Sequence, residues 1–212
     1  MRTYLALGDS MSIDDYTGIV GGGSVQQFFR TLGDNWRLDD QTFDGCRMSD
    51  VPTSGHGDLV TLTVGGNDLL CEAERYLKQG LGDFALKHAA LLARLRDANP
   101  KATVIVGDVY APAVSLGEVQ ACRLAEANAI IRENCGRIGA QLAPIYDAFL
   151  GRESTLLCLG IEPTLSGARV IAKLFERAFR EANAAKVQHR LWFDRSAIAK
   201  STIVRGIAPR RT

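Results

Sequence analysis

The stretch Tyr4-Leu5-Ala6-Leu7-Gly8-Asp9-Ser10 decides how this chain is read. Its apolar run reads as a short buried strand, which Gly-Asp-Ser stops abruptly with turn chemistry. Ser10 then stands just past the carboxyl end of a first strand. In an open parallel sheet that rim, beside a topological switch point, is where ligands bind. Two later stretches end strands in the same manner and aim at the same rim: Asp44-Gly45-Cys46 and Gly65-Gly66-Asn67-Asp68.

Working outward, residues 11–23 are too polar and glycine-rich for a core element and read as a long loop over the rim. Ser24 suits an N-cap for a helix through Val25, Phe28, Phe29 and Leu32 that ends at Gly33. Trp36 to Phe43 reads as a second strand and Asp58 to Val64, rich in β-branched residues, as a third. Helical spacing runs from Phe84 to Ala98 and stops at Asn99-Pro100; Thr103 to Asp108 is a fourth strand. A long helix from Glu118 to Ile138, a fifth strand from Gln141 to Tyr146 and a last helix from Thr164 to Ala182 complete the pattern. Strands alternating with helices predict an α/β fold, a three-layer α/β/α sandwich around a parallel sheet. Residues 1–185 form one expected domain, and 186–212 a basic C-terminal tail without a firm assignment, in which Leu191-Trp192-Phe193 can dock on the body.

With 212 residues, 46% hydrophobic and 23% charged, the chain has ordinary globular composition and enough apolar content for a real core. A net charge of +1 gives no basis for nucleic acid as a partner. The charge is uneven: residues 186–212 hold seven Lys or Arg against Asp194 alone, which leaves 18 basic and 23 acidic residues elsewhere. Such a tail can meet an anionic surface, although solvated tails of this kind are commoner. The five cysteines, Cys46, Cys71, Cys122, Cys135 and Cys158, are widely separated, with no zinc-type spacing and no even count for a disulfide framework. That usage fits a reducing compartment. Met1-Arg2-Thr3-Tyr4 enters a strand directly, and no apolar run reaches transmembrane length. A cytoplasmic protein without a metal or other cofactor is expected.

The three rim segments have a chemical reason to converge. A serine nucleophile needs its oxygen exposed at a tight turn, with donors waiting for the charge that develops on the substrate oxygen. Gly45 has no side chain to obstruct its backbone N–H. Asn67 offers an amide N–H₂ as a second donor, and the Ser10 N–H is a third. Each motif taken alone is an ordinary turn signal; their common placement after strands is what gives them meaning.

With these residues in view, the chain resembles the SGNH, or GDSL-type, hydrolases, a family of esterases and lipases. Gly8-Asp9-Ser10 matches its first block, Asp44-Gly45 its second and Gly65-Gly66-Asn67-Asp68 its third. The resemblance covers residues 3–183 and implies a flavodoxin-like sheet of about five parallel strands, an ester substrate and no cofactor. It differs from the G-x-S-x-G elbow of other α/β hydrolases, because Ser10 sits in Gly-Asp-Ser-Met-Ser. In the family's fourth block an Asp orients the His that activates the serine. The matching stretch here is Leu159-Gly160-Ile161-Glu162-Pro163, with Leu159 at the Asp position and Glu162 at the His position.

Glu162 is therefore the first candidate for the base, provided that burial or nearby carboxylates lift it from a carboxyl's ordinary pKa of ~4.3. His56 precedes the third strand and faces the opposite rim, His88 lies within a helix, and His189 is in the tail. Asp14 and Asp15 can bind substrate hydroxyls, raise Glu162 or hold a hard cation, although turn and capping chemistry is the commoner use of such a pair. Gly21-Gly22-Gly23 follows no phosphate-loop spacing and reads as loop flexibility. Asp9 and Asp68 read as braces for their turns. Two functions fit: a divergent serine esterase or deacylase acting on a small-molecule, lipid or glycan ester, or a pseudo-hydrolase that binds a ligand or protein without turnover. The sequence leaves the oligomeric state open.

Overall fold

The computed structural model describes residues 1–204, with side chains described through Ala185. In chain order the elements are β1 (Arg2–Gly8), α1 (Ser24–Phe29), β2 (Trp36–Thr42), β3 (Leu59–Thr63), α2 (Gly66–Cys71), α3 (Ala73–Gln79), α4 (Gly82–Ala98) and β4 (Thr103–Gly107). There follow α5 (Glu118–Ile138), β5 (Gln141–Ala143), α6 (Ile145–Phe149), α7 (Glu153–Leu156), β6 (Leu157–Cys158), β7 (Glu162–Pro163) and α8 (Leu165–Val204). β1 to β5 form one sheet in the order β2-β1-β3-β4-β5, and every pairing in it is parallel. The order reverses at β1, so the switch point lies at the carboxyl end of β1, beside β3.

The alternation along each strand explains the three layers. Leu5 and Leu7 of β1, Val60 and Leu62 of β3, and Val104 and Val106 of β4 face one side, against Leu91, Leu92 and Leu95 of α4 and Leu124, Ala127 and Ile131 of α5. Tyr4, Ala6, Leu59 and Ile105 face the other, against Val25 and Phe28 of α1 and Ile171, Phe175 and Ala178 of α8. Successive strand residues point to opposite faces, so strands buried on both sides must be apolar throughout. Tyr4 and Thr61 are polar exceptions, and they satisfy each other through a hydrogen bond between Tyr4 Oη and Thr61 Oγ1 at 2.8 Å. Phe28 lies 5.9 Å from Phe175 and 6.2 Å from Phe179, ring centre to ring centre, which pins α8 over α1. Full burial of each such side chain stabilises the fold by ~1.5–3 kcal/mol.

The α/β sandwich and its five parallel strands agree with the sequence reading; several boundaries do not. The fifth strand stops at Ala143 rather than Tyr146, because Pro144 ends the ladder and α6 begins at Ile145. Residues 66–79, read as a turn and left without an element, form α2 and α3. The last helix continues beyond Ala182 to Val204, so the expected boundary at residue 185 falls within a helix. The side chains of the tail, including His189 and Leu191-Trp192-Phe193, lie outside the described residues, as do residues 205–212.

Candidate active site

The turn after β1 is fixed by steric necessity. Gly8 has φ +134°, and a Cβ there would stand 2.2 Å from the Thr63 carbonyl oxygen, so no side chain fits between β1 and β3. The Phe43 N–H donates to the Gly8 oxygen at 3.0 Å, and the Asp9 N–H donates to the Thr63 oxygen at 3.0 Å. Asp9 Oδ1 accepts the Met11 N–H at 3.1 Å, and Ser12 Oγ is hydrogen-bonded to Thr63 Oγ1 at 2.8 Å. Ser10 is thus held on a turn bonded to both neighbouring strands, at the reversal of strand order.

The second and third segments are tied to each other. Asn67, in the first turn of α2, donates from Nδ2 to the Cys46 carbonyl at 3.2 Å, which leaves the second amide hydrogen free. Asp68 Oδ2 accepts the Met48 N–H at 3.1 Å, bracing the loop that carries Gly45. Gly45 has φ +74° with open space in front of it, so its backbone adopts a turn that glycine alone enters easily. Among the described residues, the N–H groups of Ser10 and Gly45 are taken by no backbone turn or side chain. The structure therefore brings together three donors on one rim: two backbone N–H groups and the Asn67 amide.

The fourth segment is a small hairpin. β6 and β7 pair antiparallel, Cys158 opposite Glu162, and the Tyr110 Oη secures the connection by donating to the Ile161 oxygen at 2.6 Å. Glu162 is 8% exposed, and its Oε2 has no hydrogen-bond partner among the described residues. Burial raises its pKa, the approach of the Ser10 hydroxyl opposes that rise, and the negative charge of Asp44 adds to it. Leu159 sits at the tip with φ +51° and is 81% exposed, so its side chain gives Glu162 no support. Asp9 is also buried, and that burial pushes it up to about 7, with Glu162 a smaller contributor. Two carboxyl groups with raised pKa values therefore lie around Ser10.

Asp14 and Asp15 part company. Asp14 Oδ2 accepts the Gly21 N–H at 2.5 Å and Oδ1 accepts the Gly23 N–H at 2.7 Å, so this side chain stitches its own loop together. Asp15 is exposed. Between them and the rim, Tyr16 donates from Oη to Asp44 Oδ2 at 2.8 Å, and this bond pushes the phenol up to about 12. No local pattern signals that link, since Tyr16 lies in a loop without periodicity. His88 stacks on Phe84 with ring centres 6.2 Å apart, and burial pushes it down to about 4. His56 Nδ1 is hydrogen-bonded to the Ala98 oxygen at 2.9 Å, at the far end of the sheet. Among the described residues, no three His, Cys, Asp or Glu side chains are grouped to hold a metal, and no helix is long and apolar enough to cross a membrane.

An α/β sandwich of strand order 2-1-3-4-5, with a serine and three donors at its switch point, is the frame of a hydrolase. Residues 6–170 match the model of the GDSL-like lipase/acylhydrolase family, and the chain belongs to that family. Among solved structures it is similar to a lipase from a goat rumen metagenome, at 20% identity and a TM-score of 0.72, over 84% of this chain and 97% of that one. It is also similar to an acetylxylan esterase from Geobacillus stearothermophilus, at 15% identity and a TM-score of 0.66, over 84% of this chain and 93% of the other. An α/β hydrolase from the metagenome of Lake Arreo, Spain, gives 20% identity and a TM-score of 0.65 over 84% and 94%. At these identities the likeness establishes the fold alone. No curated protein matches the sequence.

Proposed function

We propose that this chain is a serine esterase or deacylase that cleaves a carboxylic ester of a small-molecule, lipid or glycan substrate. Ser10 Oγ attacks the ester carbonyl and passes its proton to Glu162. The carbonyl oxygen becomes an oxyanion held by the Ser10 N–H, the Gly45 N–H and Asn67 Nδ2. When the intermediate collapses, the bond to the leaving alcohol breaks and Glu162 returns the proton to that oxygen. Water then repeats the sequence on the acyl-enzyme, releasing the carboxylic acid and free Ser10. Asp15, exposed on the loop next to the site, is the member of the Asp14–Asp15 pair free to meet a substrate hydroxyl.

The observation that carries this reading is the Ser10 hydroxyl beside a shielded Glu162 carboxyl with an unpartnered oxygen. A carboxylate relieved of competing donors and raised by burial is a better base than one in water. The test is hydrolysis of p-nitrophenyl butyrate from pH 5 to 9, with Ser10→Ala alongside. The expected result is turnover that Ser10→Ala abolishes, on an acid limb set above the ordinary carboxylate range. Equal rates for the two proteins would replace this reading with that of a non-catalytic binding module.

A further inference from the structure

Beside the nucleophile lies a cavity of about 160 Å³ that includes Ser10 and Asn67 in its wall but neither Glu162 nor Gly45. Leu69, Ala73 and Leu77 of the α2–α3 segment form part of the wall, and Val109, Leu116 and Leu124 from the β4–α5 side form another part. Leu70, 55% exposed, marks where the wall meets solvent. Of the polar side chains that α5 contributes, Gln120 is held through Oε1, which accepts the Gly117 N–H at 2.9 Å, and Arg123 through Nη1, which pairs with Glu126 at 2.6 Å. Tyr76 Oη and Arg123 Nε have no partner, but both atoms are shielded rather than presented to the space.

We propose that this cavity is the acyl subsite, shaped for a linear saturated acyl chain of about six to eight carbons, since a space of ~150 Å³ holds a six-carbon molecule such as benzene. The inference rests on the esterase reading above, and the side of the ester follows from proton transfer. A base that takes the Ser10 proton and returns it to the leaving oxygen must lie on the leaving-group side. That base is Glu162, which is absent from the cavity wall. The acyl part therefore points the other way, past Ser10 and Asn67 into the apolar space. Acetyl would leave most of it empty, and the wall is lined mainly by apolar side chains.

The test compares kcat/KM for p-nitrophenyl acetate, butyrate, hexanoate and octanoate, with a series of alkyl acetates as the reverse probe. The expected result is a rise of roughly 3–4-fold per methylene up to about six carbons, the value of one buried CH₂, and no such rise with the alcohol chain. Ala73→Phe, which places a ring in the space, brings the hexanoate-to-acetate ratio down towards one. A flat acyl series, a rise along the alcohol series instead, or a ratio untouched by Ala73→Phe would overturn the subsite while leaving the esterase intact. Absence of Ser10-dependent turnover would sink the esterase reading, and binding of hexanamide against acetamide to the wild-type chain then decides. Tighter hexanamide binding by tenfold or more, lost in Ala73→Phe, upholds the cavity as an acyl subsite; equal binding rejects it.

Discussion

The two halves of the candidate site are built to different standards. On the donor side, Gly8, Asp9, Asn67 and Asp68 are locked by bonds from the backbone of β3 and from the loop after β2, and Gly8 has no room for any other residue. On the base side, Glu162 stands on a hairpin with two residues per strand, next to a leucine in a left-handed conformation, with one carboxylate oxygen unpaired. Stabilising an oxyanion demands donors fixed before the charge appears, because reorganisation at that moment would cancel the gain. Holding a proton for a moment demands only reach and a suitable pKa. Under the proposed mechanism the difference between the halves follows this division of labour: geometry is guarded where charge would develop, and the electrostatic environment suffices where a proton would wait.

The comparison breaks most sharply at Asn67. Asn67→Ala removes one proposed oxyanion donor and is expected to lower kcat roughly 10²–10³-fold with little change in KM, read from steady-state kinetics on the butyrate ester. Glu162→Gln keeps the shape and removes the proposed base. Its expected cost is at the lower end of that range, about 10²-fold, together with loss of the acid limb in the pH profile. A limb that survives Glu162→Gln would assign the base elsewhere, with Asp9 as the next candidate.

A third test reads stability. Asp9 titrates at about 7 in the folded chain because of burial, whereas an unfolded Asp titrates near ~3.9. Between those values the folded state keeps a proton that the unfolded chain has released, so stability falls as pH rises across that window and levels off beyond it. Urea unfolding between pH 4 and 8 should show the decline, and Asp9→Asn should flatten much of it. Glu162, Asp68 and Asp108, each raised by burial in the same direction, contribute the remaining slope. The smallest effect is expected at the hairpin tip: Leu159→Gly relieves the left-handed strain at the price of unfolded-state entropy, for a net gain of about 0.5 kcal/mol, visible as a small rise in the urea midpoint.

The centre of the sheet was legible because β1, β3 and β4 are buried on both faces, mostly apolar, and end at or near glycine, a pattern that local chemistry alone produces. Ser10, Gly45 and Asn67 were legible for the same reason, since each follows a strand and must fall on one rim. What escaped the sequence was of another kind. Gly65-Gly66-Asn67-Asp68 carries the signature of a turn, yet Gly65 serves as the cap and α2 begins at Gly66. The Tyr16–Asp44 bond joins residues from two loops, and no local preference encodes such a pairing. Asp9 was foreseen as a brace, which it is; its raised pKa depends on burial by distant elements and has no local signature. Tertiary context decides in all three cases.

The Tyr16–Asp44 bond also bears on how fast a substrate arrives. It joins the loop after β1 to the loop after β2, and both partners face water. A hydrogen bond of that kind contributes about 0.5–1.5 kcal/mol, so the unlatched form makes up roughly a fifteenth to a third of the population at any instant. Were a substrate to enter between these loops, a latch that weak would slow its encounter by no more than about 15-fold.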